Sequence, residues 1–153
     1  MDNIDREILL LLQEDASLSA RELAEHVGLT ATPCWRRVQN LENAGVISRR
    51  VALLDPASVN LGVTALVQVR TNNHSAEWLQ DFSAAVDALG EIVEAYRTSG
   101  EIDYMLRVVV PSIDAYDAFY KRLIETVDLY DVRTVFVMEK MKQTTALPLD
   151  YLP

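Results

Sequence analysis

The sequence predicts an α+β protein in two parts: a small helical unit closed by a strand, then a four-stranded sheet carrying two helices. Three observations lead there. Apolar residues recur at three- and four-residue spacing through the first forty-five or so positions, the period of half-buried helices. A glycine-punctuated helix pair fills Leu18–Ile47, LSARELAEHVGLTATPCWRRVQNLENAGVI. From Val63 onward, β-branched runs interleave with two capped amphipathic stretches in the order βαββαβ.

Taken in order, residues 3–14 form a first helix whose buried stripe is Ile4, Ile8, Leu11 and Leu12, leaving Asp5, Arg6 and Gln13 outward. Ser19 followed three residues later by Glu22 is a capping-box start for the second helix. Ala20, Leu23, Ala24 and Val27 keep one buried stripe there, Gly28 ends it, and Leu29 plugs the corner beneath the turn. Thr30 is placed to cap the third helix, and Pro33 falls in its first turn, where a missing N–H costs little.

At about 100° per residue, that third helix gathers Cys34, Val38, Leu41 and Gly45 in one sector and Thr32, Arg36, Gln39, Asn40 and Asn43 on the opposite one. The outer face thus holds one cation with amides and a hydroxyl, and neither an acid nor a large apolar side chain. Arg, Asn and Gln match the donor and acceptor patterns of base edges in the major groove. A second helix presented this way is the recognition helix of a helix-turn-helix. A helical hairpin with an ordinary solvated face is the competing account, since amphipathicity alone is common. The capped pair, the glycine turn and the basic residues Arg49 and Arg50 favour DNA. Val46–Leu54 is then expected to be a wing strand near the phosphates.

Charge needs to be read by position. The net charge of −9 argues against nucleic acid at first sight, yet residues 30–50 hold four arginines against one acid, Glu42. A basic edge on an acidic body orients the protein on DNA and limits loose binding elsewhere. It also implies weak binding by one copy, so that several act together. A single cysteine excludes an internal disulfide. No apolar run approaches the eighteen or so residues of a membrane span, and MDNIDREILLLLQED lacks the basic start of a signal peptide. A cytoplasmic protein without a membrane partner is expected.

Asp55–Gly62 (DPASVNLG) breaks the chain into a DNA-binding domain, 1–54, a linker, 55–62, and a sheet domain, 63–153. In the latter, Val63–Thr71 alternates as a strand, and Ser75 caps a helix buried through Trp78, Phe82 and Val86. Strands Ile92–Thr98 and Ile102–Val110 are joined by Ser99-Gly100-Glu101. Ser112 caps a second helix with Tyr116, Phe119, Leu123 and Val127 inward, and Val132–Met141 closes the unit. This order is the ferredoxin-like split motif, an antiparallel sheet with both helices on one face. The last strand is apolar on both sides (Val135 and Val137; Phe136 and Met138), so something else must cover the second face. A second copy of the same sheet is the expected cover, in a two-fold dimer that also suits paired reading heads.

The segments IDREILLLLQEDA, VGLTATPCWRRVQNLENAGVI, VALLDP, SGEIDYMLRV and TVFVMEKMKQTTALPL together resemble the Lrp/AsnC transcription regulators, from Ile4 to about Leu149. The resemblance implies a winged helix-turn-helix joined to a ferredoxin-like (RAM/Lrp-type) domain that senses a small amino acid. It also implies a homodimer, with four dimers often closing into an octamer that DNA can wrap. The expected DNA-contacting set is Ser19, Thr30, Thr32, Arg36, Arg37, Gln39, Asn40, Asn43, Arg49 and Arg50. The family's effector pocket falls on Gly100 and Asp103, with Ser99 and Tyr104 beside them and Phe136 in the same set. Chemistry adds Arg97: Asp103 could pair with an α-ammonium and Arg97 with an α-carboxylate, although Ser-Gly-Glu is also a good hairpin turn without any ligand and Arg97–Asp103 a plain surface pair. The chain lacks the leucine regulator's basic N-terminal extension. VALLDP, the Ser75-Ala76-Glu77-Trp78 helix start and Tyr120-Lys121-Arg122-Leu123 resemble a subgroup with cysteine-responsive activators, which makes a sulfur amino acid a candidate effector. No cofactor or metal is expected.

Two other accounts compete with this one. One is an architectural protein that wraps DNA without an effector. The other is a small enzyme on a ferredoxin-like domain, for which no nucleophile–base pair can be named: Cys34 faces the core stripe, and His26 and His74 have no metal-ligand spacing.

Overall fold

The computed structural model describes residues 1–152, in two compact units: Met1–Leu53 together with the chain from Met141 on, and Leu54–Lys140. In the first unit α1 spans Asn3–Glu14, α2 Ala20–Val27 and α3 Ala31–Asn43. Helix α1 opens on a capping box: the Asp2 carboxylate accepts the Asp5 amide at 2.9 Å, and the Asp5 carboxylate accepts the Asp2 amide at 3.1 Å. Helix α2 repeats the device with Ser19 and Glu22 and stops at Gly28, whose φ of +68° is open to glycine at little cost. The Leu29 amide then donates to the Ala24 carbonyl. Thr30 occupies the N-cap of α3, but its side chain makes no capping hydrogen bond.

The core of this unit is Ile8 and Leu9 from α1, Leu23, Ala24 and Val27 from α2, and Cys34, Val38 and Leu41 from α3. Each helix is amphipathic and shorter than a self-supporting peptide helix, so the shared apolar centre is what holds them. Burial pushes the Cys34 thiol up, away from the reactive thiolate.

The wing strand expected over Val46–Leu54 does not form. The Val46 and Ile47 amides close the C-terminus of α3 on the Leu41 carbonyl, and residues 48–54 make no backbone hydrogen bond to another described segment. High β-propensity without a partner strand leaves extended chain. The linker is more ordered than its composition suggests: the Asp55 carboxylate accepts the Ala57 and Ser58 amides and closes a short 3-10 turn at Ala57–Val59.

In the second unit β1 is Val63–Arg70, α4 Ala76–Ala88, β2 Ile92–Arg97, β3 Tyr104–Val110, α5 Ile113–Thr126 and β4 Asp131–Phe136. The sheet order is β2-β3-β1-β4, antiparallel throughout, with a bulge between Ile92 and Glu94. Both helices lie on one face, over Ala65, Val67 and Val69 of β1 and Leu106, Val108 and Val110 of β3, all at most 1% exposed. Ser75 and Ser112 cap the two helices as their sequence positions predict. Trp78, Phe82 and Tyr104 form an aromatic cluster at one end of this core, and Tyr116, Phe119 and Phe136 another.

The last strand ends five residues before the predicted Met141. Phe136 pairs with Ala65 and the Val137 amide reaches Thr64, so β1 has run out of chain to pair with. The departing segment does not stay with the sheet, as the boundary 63–153 assumed. Its end belongs to the helical unit, where Leu149 packs against the apolar core and Gln13 exchanges two hydrogen bonds with Leu147.

Candidate functional site

The face of α3 away from the core is as its winding predicts. Thr32, Arg36, Gln39, Asn40 and Asn43 are all exposed, while Cys34 and Val38 are fully buried. Arg36 and Arg49 enter no ion pair or side-chain hydrogen bond among the described residues, so their guanidinium groups remain available. Trp35 is 45% exposed at the margin of this face.

Other members of the expected set are committed elsewhere. The Arg37 guanidinium lies 2.7 Å from the Asp5 carboxylate and 2.8 Å from that of Asp2. The hydrogen bonds that Arg37 donates to Asp5 and Asp2 hold its charge more firmly than usual, and the Asp5 amide together with Arg37 keeps the Asp2 carboxyl below the usual range. Arg37 therefore ties α3 to the start of α1 instead of projecting outward. Arg50 donates to Glu42 at 3.0 Å and to the Ala16 carbonyl at 3.3 Å, so it braces the end of α3. The Ser19 hydroxyl is engaged by Glu22 within the cap of α2. Thr30 is exposed and its hydroxyl uncommitted.

The second candidate site is the turn between β2 and β3. The Thr98 amide donates to the Asp103 carbonyl and the Thr98 hydroxyl to the Ile102 carbonyl, closing a hairpin that exposes Ser99, Gly100 and Glu101. Gly100 has φ +121°, where any other residue would be strained. The Asp103 carboxylate accepts the Thr71 amide at 2.8 Å, and its own amide donates to the Val69 carbonyl. Asp103 thus pins the hairpin to the end of β1, leaving the second carboxylate oxygen without a protein partner among the described residues.

Three effector candidates are not brought to this turn as expected. Arg97 is exposed at the end of β2 and forms no ion pair with Asp103. Tyr104 is 9% exposed and turned into the aromatic cluster, with its ring centroid 4.5 Å from that of Phe82. Phe136 meets Tyr116 edge-on beneath the helices. In both cases strand alternation puts the ring on the helix-covered side.

Sequence reasoning missed the partners that these residues actually have. The Asp2–Asp5 box was visible as an acid three residues before another acid at the start of an apolar helix, but nothing local signals Arg37 with Asp5 or Asp103 with Thr71.

A recognition helix with free arginine and amide groups, on a three-helix unit joined to a ferredoxin-like sheet domain, defines the helix-turn-helix class of DNA-binding proteins. Comparison with known proteins agrees: a winged helix-turn-helix DNA-binding family matches residues 1–48, and the Lrp/AsnC ligand-binding domain matches residues 64–147. The chain is 47% identical over 151 residues to the DNA-binding transcriptional activator DecR of Escherichia coli K12, covering 98% of this chain and 99% of that one. An AsnC family transcriptional regulator from Agrobacterium tumefaciens superposes with a TM-score of 0.97 at 57% identity over the full length of both chains. A transcriptional regulator from Neisseria meningitidis, solved in complex with L-Met, superposes with a TM-score of 0.96 at 36% identity, covering 100% and 99%. The chain belongs to the Lrp/AsnC family of DNA-binding transcriptional regulators.

Proposed function

We propose that the protein regulates genes of amino-acid metabolism from the cytoplasm, binding operators through the exposed face of α3 and adjusting that binding to a small amino acid held at the β2–β3 turn. The observation that carries this reading is the turn itself: a glycine at a positive φ and an acid with one carboxylate oxygen unpartnered among the described residues, displayed on a closed hairpin. Asp103 would receive the effector's α-ammonium, and the backbone around Gly100 would approach its carboxylate. Ser99 lies beside them. Thr32, Arg36, Gln39, Asn40 and Asn43 would read bases, with Thr30 and Arg49 near phosphates. The L-Met complex of the Neisseria relative supports a sulfur amino acid as the candidate effector.

The active form is a homodimer, and in turn a tetramer of dimers, built on the sheet face that the helices leave open. Val135 of β4, which alternates with the helix-covered Phe136, is 53% exposed there, apolar surface that a second copy would remove from water.

A thermal-shift screen of the protein against the twenty amino acids, with fresh cysteine under reducing conditions, tests the sensor. A ligand at a hundred times its Kd that binds only the folded state adds about 2.7 kcal/mol. One or a few hits establish the sensor and name its signal; no hit leaves an architectural protein whose function is DNA binding alone. Turnover of an amino acid by the pure protein would point instead to an enzyme.

A further inference from the structure

Helix α1 is gripped from two directions. Arg6 and Gln13, two turns apart on one stripe, face the C-terminal segment. The Arg6 guanidinium pairs with the Asp150 carboxylate and donates to the Leu149 carbonyl at 3.3 Å. Gln13 accepts the Leu147 amide at 2.6 Å and donates to the Leu147 carbonyl at 3.2 Å, a two-bond clasp of the kind one strand makes with another. Leu149 packs against the helical core. A surface ion pair alone would count for little; here it is joined to a reciprocal clasp and an apolar anchor.

From its N-terminal turn, α1 holds α3. Asp2 and Asp5 both bind Arg37, and Arg37 is the neighbour of Arg36 on the reading face. At about 100° per residue, fixing the azimuth of Arg37 fixes where Arg36, Gln39 and Asn40 point.

We propose that residues 147–152 are a positioning element of the DNA-reading head. The chain end clamps α1, and α1 through Asp2 and Asp5 sets the rotation of α3, so discrimination between DNA sequences depends on side chains that touch no base. Arg6, Gln13, Asp150 and Arg37 are positioning residues. Because the chain returns to the helical unit from Met141 on, the sheet unit, Leu54–Lys140, is connected along the chain to the reading head at both of its ends.

The test uses the full-length protein, a duplex selected by the wild type from a random pool, and a scrambled duplex of equal length and composition. Affinities for both are measured across a salt series for Asp150→Ala, Arg6→Gln, a truncation after Ala146, Asp150→Glu, and the exchange of Arg6→Asp with Asp150→Arg. Truncation is expected to lower the selected-to-scrambled ratio by roughly five- to tenfold, the lower range of coupling between linked sites. Asp150→Ala and Arg6→Gln lower it less, Asp150→Glu retains it, and the charge exchange restores it. The salt slopes stay at the wild-type value, since no phosphate contact is lost. A slope reduced by about one in Arg6→Gln means that Arg6 contacts a phosphate and overturns the proposal. An unchanged ratio in a truncated chain that melts like the wild type overturns it too. Should the truncated chain not fold, the exposed single substitutions decide: wild-type ratios in both Asp150→Ala and Arg6→Gln refute the clamp.

Discussion

Asp103 stands in two roles, and a pair of substitutions separates them. Its carboxylate accepts the Thr71 amide at 2.8 Å, and Thr71 is only 8% exposed. Asp103→Ala leaves that donor without its charged acceptor. A hydrogen bond to a charged group contributes about 1.5–3 kcal/mol, so a loss near 2 kcal/mol is expected. For a chain of this size that lowers Tm by about 4–8 °C. Asp103→Asn keeps an acceptor oxygen at nearly the same place and should lose less than about 1 kcal/mol. Both variants remove the charge, so both should lose the stabilisation that an amino-acid effector confers, while DNA binding without effector persists. Melting followed by far-UV circular dichroism, with and without the ligand found by the screen, reads the two effects separately. Asparagine melting as low as alanine would show that charge, not the acceptor, secures the hairpin. Alanine melting like the wild type would show that the Thr71 bond has no structural part.

Arg36→Ala should reduce discrimination between selected and scrambled duplexes by about 1–3 kcal/mol if Arg36 reads a guanine, checked by fluorescence anisotropy. Arg49→Ala should weaken both duplexes alike and reduce the salt slope by about one, whereas Arg50→Ala, whose guanidinium is already bonded to Glu42 and Ala16, should change the slope less and the melting temperature more. Phe119→Ala, at a fully buried position between the sheet and α5, should cost about 3–5 kcal/mol in urea unfolding. The hydrogen bond from Arg107 holds the Glu94 carboxyl below its usual range. That pairing therefore stabilises the fold fully above the unfolded value of about 4.3 and is lost as pH falls from there through the folded pKa. Glu94→Gln should flatten this part of the acid unfolding curve.

Much of the molecule was legible from local pattern. The helix pair, its glycine turn, the serine caps of α4 and α5 and the βαββαβ order all follow from periodicity and capping, which act within a few residues. The reading face of α3 was legible for the same reason: helical winding alone separates Arg36, Gln39 and Asn40 from Cys34 and Val38. Winding also placed Asp5, Arg6 and Gln13 outward, and there it stopped short, because an outward side chain meets whatever the rest of the chain brings. Arg37 lies beside Arg36 in sequence, yet Asp2 and Asp5 take it out of the exposed set. Only the folded chain decides such pairings, since partners thirty or more residues apart leave no spacing to detect.

Strand limits were of the same kind. Val46–Leu54 has the composition of a strand but makes no ladder among the described residues, while β4 ends at Phe136 because β1 begins at Val63. Tyr104 entered the effector set as the neighbour of Asp103, and Phe136 with it as part of the same expected set, yet the pleat turned both rings under the helices. The sequence by itself determined which segments wind, which alternate and which side of each is apolar, because those depend on residues close along the chain. The tertiary structure decided which charges pair, where strands stop and that the C-terminal segment leaves the sheet for α1, because each depends on what distant segments place alongside.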